Sequence, residues 1–339
     1  MTSKRKNLFL ITNTTHYLAV KTYIDTHSDA ENFMVLNIRR FPGHEDFCNK
    51  IKQDPEIELL DVIYVDQQRK PPFHYLDIFS TMFNVKQIKG KQKSFDNVFF
   101  SNYNSWIQHY ILKQYNPRKT ILISDGSGII PIASLRKEDK TIPFKGSKFF
   151  INKILGLSPV EQLHFYSPWE LDVAASDSVE VFNFKSSATT KIKKDKIYFV
   201  GSPLVELGYL DKEKHLAYLK NIKSRFPEGE FSYFSHRREK DGNLKDYEFF
   251  GKIVRDNIPF EERMEVEEEL PGTVISYISS VLINLPQVYP QLEFHYLSLG
   301  EGDIPEGTNF KERYDTLEGN FKKMERDNFK ELKIKQINL

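Results

Sequence analysis

The chain has 339 residues, and because one domain takes roughly 100 to 200 residues, the length points to two domains with separate cores. Lys and Arg number 48 against 47 Asp and Glu, a formal charge of +1, so the basic footprint of a nucleic-acid binder is missing. With 40% hydrophobic residues, 27 Phe and 17 Tyr, the composition excludes a disordered chain.

From the N-terminus, Met1 to Asn7 is followed by an apolar run of only Leu8 to Ile11, too short for a signal-peptide core or a membrane span. No later stretch reaches about 18 apolar residues, so the expectation is a soluble, cytoplasmic protein. The single cysteine, Cys48, cannot form an internal disulfide, which fits a reducing compartment, and its plain reading is a partly buried small side chain. Short β-branched and aromatic runs at Leu8–Ile11, Phe33–Ile38, Leu60–Val65, Val98–Phe100 and Thr120–Ile123 are spaced by room for one helix each. That is the pattern of a parallel sheet with crossover helices. Asn102 to Tyr115 shows the helical rhythm in Trp106, Ile107, Tyr110, Ile111 and Gln114, stopped by Asn116-Pro117. Residues 1–185 thus read as one α/β domain.

Residues 186–196, Ser186-Ser187-Ala188-Thr189-Thr190-Lys191-Ile192-Lys193-Lys194-Asp195-Lys196, are small, polar and basic, and read as a linker. The alternation restarts with a strand Ile197–Val200, the turn Gly201-Ser202-Pro203, and a helix N-capped by Asp211 with an apolar stripe of Leu216, Leu219, Ile222 and Phe226. A strand Phe231–Phe234, a helical stretch Tyr247–Arg255, a turn at Asn257-Ile258-Pro259, a strand Val274–Ile278, a helix Val281–Leu285 and a strand Leu292–Leu297 follow. Residues 197–320 therefore read as a second α/β domain, and 321–339 as a helix or tail carrying six Lys or Arg. Its two readings are a solvated face and a peripheral contact with an anionic leaflet. The fold class is α/β, with two Rossmann-like doubly wound domains facing across a cleft, where ligands bind beyond the carboxyl ends of the strands.

Residues just after strands therefore matter most. Ser124-Asp125-Gly126 follows Thr120–Ile123, where an Asp can project a general base while Gly lets the backbone bend away; the plain alternative is an Asp-Gly turn. Ser235-His236-Arg237-Arg238-Glu239 follows Phe231–Phe234, and a histidine beside two arginines suits an anionic ligand; the alternative is a surface loop with an Arg–Glu pair. Ser279-Ser280 opens the helix Val281–Leu285, offering hydroxyls and free amides to a phosphate, or simply capping the helix. Glu261, after Pro259-Phe260, can chelate ribose hydroxyls or begin a solvated helix. Neither phosphate-loop fingerprint, GxGxxG nor GxxxxGK[ST], occurs, and no His or Cys cluster has metal-ligand spacing.

Taken in order, the strand-end Asp125-Gly126, Gly201-Ser202-Pro203, Tyr233-Phe234-Ser235-His236, Pro259-Phe260-Glu261 and Ser279-Ser280 resemble the bacterial sialyltransferases of glycosyltransferase family 52 and the related polysialyltransferase group. The match runs from Tyr198 to Leu285, and in the first domain rests on Ser124-Asp125-Gly126 and Thr14-Thr15-His16. The resemblance implies a GT-B fold and inverting, metal-independent transfer of sialic acid from CMP-sialic acid to a galactose-type hydroxyl of a bacterial surface glycan (lipopolysaccharide, O-antigen or capsule), with no cofactor beyond the donor. It implies Asp125 as base, His236 facing the CMP phosphate, Ser279 and Ser280 as phosphate ligands, Glu261 as ribose ligand, and Gly126, Arg237, Gly201, Ser202, Thr15 and His16 as further cleft contacts. Its expected partners are CMP-sialic acid and a glycan or glycolipid acceptor. Two positions depart from the family pattern: Ser124 stands where the families have a first acidic residue, and Arg237 where they have a Pro that would stiffen the turn. The alternatives are a GT-B transferase for another nucleotide sugar and an inert glycan-binding protein.

Overall fold

The computed structural model describes residues 4–38, 40, 44–65, 74–124, 128–138, 152–183, 191–255, 260–279, 281–300, 302–305 and 310–333. The chain divides into two compact units, Met1–Phe184 and Lys185–Leu339.

The first unit is built on strands β1 (Arg5–Ile11), β2 (Ala30–Ile38), β3 (Glu58–Tyr64), β4 (Asn97–Phe100), β5 (Lys119–Ile123), β6 (His164–Ser167) and β7 (Ser178–Val181). They pair in the order β3-β2-β1-β4-β5-β6-β7, every pair parallel. Leu8, Phe9, Leu10, Val98, Phe99 and Phe100 are all fully buried, as expected of strands covered on both faces. Helices Thr14–Thr26, His44–Lys52, His74–Lys91, Trp106–Tyr115 and Ile129–Glu138 connect or follow these strands. Helix Trp106–Tyr115 starts where the Ser105 hydroxyl accepts the Gln108 amide and stops at Asn116, in the left-handed region at φ 43, so both of its ends have a local cause. Trp106 and Trp169 pack against the core formed by Val35, Val98, Phe100, Leu122 and Phe165. Cys48 is buried. The buried Arg136 and Asp177 form a two-point ion pair, with 2.7 Å from Nε to Oδ2 and 2.7 Å from Nη2 to Oδ1. Arg136 also donates to the Tyr103 hydroxyl and the Val160 carbonyl, and Asp177 accepts the Leu163 amide.

The second unit carries β8 (Lys191–Val200), β9 (Glu230–Phe234), β10 (Lys252–Val254), β11 (Glu269–Tyr277), β12 (Glu293–Leu297) and β13 (Phe329–Glu331), in the order β10-β9-β8-β11-β12-β13, again all parallel. Helices Lys212–Arg225, Asp241–Tyr247, Phe260–Val266, Val281–Val288 and Phe310–Lys323 accompany them. The order reverses between β8 and β11, the switch point where a doubly wound sheet opens a crevice at its carboxyl end.

Three local expectations are corrected. Residues 191–196 are not linker but the first half of β8: Lys191, Lys193 and Lys196 pair with Glu269, Glu230 and Glu267, and Gly272 leaves room for the Lys194 carbonyl, which a Cβ would meet at 2.5 Å. Charge pairing across strands thus replaces the apolar pattern. Tyr247–Arg255 is not one helix. The helix ends at Tyr247, and Gly251, whose Cβ would lie 2.3 Å from the Phe231 carbonyl, lets the chain come close enough for β10 to pair with β9. Finally, the segment expected over 321–339 is more than a basic helix or tail in its described part, 321–333, because Phe321 packs edge-on and Phe329 at a tilt against Tyr296, which seats β13 beside β12. Asp211 does occupy the N-cap of helix Lys212–Arg225, yet makes no side-chain cap hydrogen bond. Among the described residues no helix is long and apolar enough to cross a membrane.

Candidate active site

The carboxyl ends of the second sheet bring most of the expected donor-side residues to one edge. Val200 is in register with Phe234 on one side and Ser276 on the other, so Gly201-Ser202, Ser235-His236 and Ile278-Ser279 emerge from three neighbouring strands. Two bonds lock these ends: the Gly201 amide donates to the Phe234 carbonyl at 2.8 Å, and the fully buried Ser276 hydroxyl donates to the Val200 carbonyl at 2.7 Å. Phe260 packs edge-on against Phe234, its ring centroid 5.1 Å away, and against Tyr198 at 6.1 Å. That contact anchors the start of helix Phe260–Val266, and with it the half-buried Glu261, near the ends of β8 and β9.

His236 stands at the first turn beyond β9, half-buried. Its Nδ1 accepts the Arg238 amide at 3.1 Å, which leaves Nε2 as the protonated nitrogen of the neutral ring. Burial, then the charges of Arg237 and Arg238, hold its pKa below the usual histidine value, while Glu206 opposes them. The imidazole is therefore a neutral hydrogen-bond donor, and Arg237 and Arg238 are exposed.

Glu239 turns away from the arginines and is buried, contrary to the plain reading of a surface Arg–Glu pair. One carboxylate oxygen accepts the Tyr233 hydroxyl at 2.6 Å, and the other accepts the His236 amide at 2.5 Å. Burial raises its pKa to about 7 against the opposing effect of those two hydrogen bonds. A Cβ on Gly201 would lie 2.4 Å from Glu239 Oε2 and 2.9 Å from the Tyr233 ring, so only glycine fits at this strand end. Glu206 shows the opposite balance. Burial alone would raise its pKa, yet hydrogen bonds from the Asn243 side chain and the Lys240 amide hold it low.

Ser279 is half-buried, and its carbonyl accepts the Leu282 amide at 3.0 Å, the start of helix Val281–Val288. Ser298, one residue beyond β12, was not anticipated; its hydroxyl oxygen is buried without a hydrogen-bond partner among the described residues. Serines thus follow four adjacent strands, a regularity visible in the sequence only once the strand order is known. In the first unit, His16 is fully buried, its Nδ1 3.1 Å from the Thr12 hydroxyl, and its amide donates to the Asn13 side chain, the N-cap of helix Thr14–Thr26. Thr15 is half-buried beside it, and Ser124 is buried at the end of β5. Asp125, Gly126 and Ser280 lie outside the described residues. Among the described residues no group of three His, Cys, Asp or Glu side chains is arranged to hold a metal ion.

The model of glycosyltransferase family 52 matches residues 58–295, and the chain belongs to that family. Its two parallel α/β sheets match GT-B glycosyltransferase structures. The solved structure of TcCGT1 in complex with UDP superposes with a TM-score of 0.56 at 11% identity, covering 98% of this chain and 86% of that one. Arabidopsis thaliana UGT89C1 complexed with UDP-L-rhamnose gives 0.55 at 10% identity, over 98% and 86%. A UDP-glucosyltransferase from Polygonum tinctorium gives 0.51 at 10% identity, over 88% and 80%. No curated protein matches the chain in sequence.

Proposed function

We propose that the protein is an inverting sialyltransferase that uses CMP-sialic acid. One observation carries the reading: in a family 52 chain, His236 presents a neutral Nε2–H donor at the sheet edge that also carries Ser279 and Gly201. Sialyl transfer builds negative charge on the departing phosphate, which fixed donors in a partly buried site stabilise without having to reorganise. In this reading His236 donates to a phosphate oxygen, and Ser279, Ser280 and the amides opening helix Val281–Val288 take the others. Glu261 accepts the ribose hydroxyls. Asp125 takes the proton of the acceptor hydroxyl as its oxygen bonds to the anomeric carbon, whose bond to the phosphate oxygen breaks; attack opposite to the departing CMP inverts that carbon.

The structural neighbours in complex with UDP and with UDP-L-rhamnose make another nucleotide-sugar donor the competing reading. Incubating the purified protein with CMP-sialic acid and galactose- or sialic-acid-terminated acceptors, with EDTA present, should release CMP and form a sialylated product. Tight binding of UDP or GDP with none of CMP, and no turnover of CMP-sialic acid, would overturn the assignment. EDTA leaves the expected rate unchanged.

A further inference from the structure

The buried carboxylate behind His236 takes no part in the chemistry proposed above, although a directed chain of hydrogen bonds ends on it. The Tyr277 hydroxyl is 2.8 Å from His215 Nδ1, His215 Nε2 is 3.4 Å from the Tyr233 hydroxyl, and Tyr233 donates to Glu239. Burial pushes the pKa of His215 down to about 4, so the ring is neutral, with one nitrogen accepting and the other donating. A single polarity, Tyr277 to His215 to Tyr233 to Glu239, satisfies every group. The far oxygen of Glu239 holds the His236 amide and lies against Gly201. The other ionisable groups around it are Tyr247, Glu206 and Arg255.

We propose that Glu239 is the positioning residue of this site: by gripping the Tyr233 hydroxyl with one oxygen and the His236 amide with the other, it fixes the turn from His236 to Glu239 against Gly201 and so aims the imidazole Nε2–H. Its activity readout rests on the sialyl-transfer reading, whereas its tautomer readout does not. Nitrogen-15 NMR of His236, assigned by difference from His236→Ala, should show the Nε2–H tautomer in the wild type and a mixture in Glu239→Ala. The same variant should lose at least about tenfold in kcat with little change in donor KM, while Glu239→Gln, which still accepts the His236 amide, stays within about threefold of wild type. In the His236→Ala background, Glu239→Ala should cost less than about a further twofold, since it acts through the ring. Additive losses, or a Glu239→Ala protein that keeps both tautomer and rate, would overturn the proposal. Should the alanine variant fail to fold, Glu239→Asp, too short by one methylene to span both partners, provides the same comparison. If CMP-sialic acid is not turned over at all, the reaction assignment falls, and the tautomer comparison still decides the role of Glu239.

Discussion

Arg136 and Asp177 meet through two hydrogen bonds of 2.7 Å with both side chains sealed from solvent, joining helix Ile129–Glu138 to the residue just before β7. Hydrogen bonds raise the guanidinium pKa despite burial and lower that of the carboxylate despite burial. Breaking such a pair strands one buried charge, and the cost is about 3 to 5 kcal/mol. Arg136→Met should therefore lower the denaturant midpoint of the first unit sharply. Arg136→Met with Asp177→Leu should recover part of that loss, because no charge is then left unpaired, while the Val160 carbonyl and the Leu163 amide still lose their partners.

Gly201→Ala tests the crowding at the end of β8. The added Cβ meets Glu239 Oε2 and the Tyr233 ring, both held by hydrogen bonds, so the turn bearing His236 must shift. CMP should bind at least about tenfold more weakly by titration calorimetry, a loss of roughly 1.4 kcal/mol. Unchanged affinity would place the nucleotide elsewhere.

Glu239 also sets a pH dependence of stability. Its pKa in the fold is about 7, above the ordinary 4.5, chiefly because of burial. The unfolded chain therefore gives up this proton first as pH rises, and the fold loses stability between roughly pH 4.5 and 7, with the full penalty present above that window. Glu239→Gln, neutral throughout, should be more stable than wild type at pH 8 by at most about 3 kcal/mol. At pH 4 the difference should vanish, and thermal melts at the two pH values read it directly.

Ser279→Ala combined with Ser280→Ala should weaken CMP at least about tenfold while leaving cytidine nearly unaffected, since charge-assisted hydrogen bonds to phosphate are worth roughly 1.5 to 3 kcal/mol each. Equal weakening of both ligands would indicate a folding defect.

Asp125→Asn should reduce kcat at least about a hundredfold with CMP affinity retained, the signature of a lost general base. A CMP-release assay makes the measurement. Near-normal turnover would end the assignment.

The alternating apolar runs made the central strands legible, because β1, β2, β4 and β5 are buried on both faces and must read as continuous hydrophobic segments. The first half of β8 was hidden, since Lys191, Lys193 and Lys196 satisfy a strand through glutamates distant in sequence. Strand β10 was hidden in a helical-looking stretch by a glycine whose role, close approach to Phe231, is tertiary. His236 and Ser279 were visible as polar residues following apolar runs. Glu239 was visible only as the end of a charged tetrad; that it turns inward depends on Tyr233, whose hydroxyl the sequence cannot orient.

The chain's two tryptophans, Trp106 and Trp169, both pack on the core of the first sheet, and the second unit is lit only by tyrosine and phenylalanine. Emission excited at 295 nm therefore reports one half of the molecule and is blind to the other. Buried tyrosines such as Tyr23, Tyr103 and Tyr166 lie in the first unit as well as the second, so near-ultraviolet tyrosine dichroism reports both halves. The part of its transition with no counterpart in tryptophan fluorescence is the melting of the second half, and CMP seated on the second sheet should shift that part first.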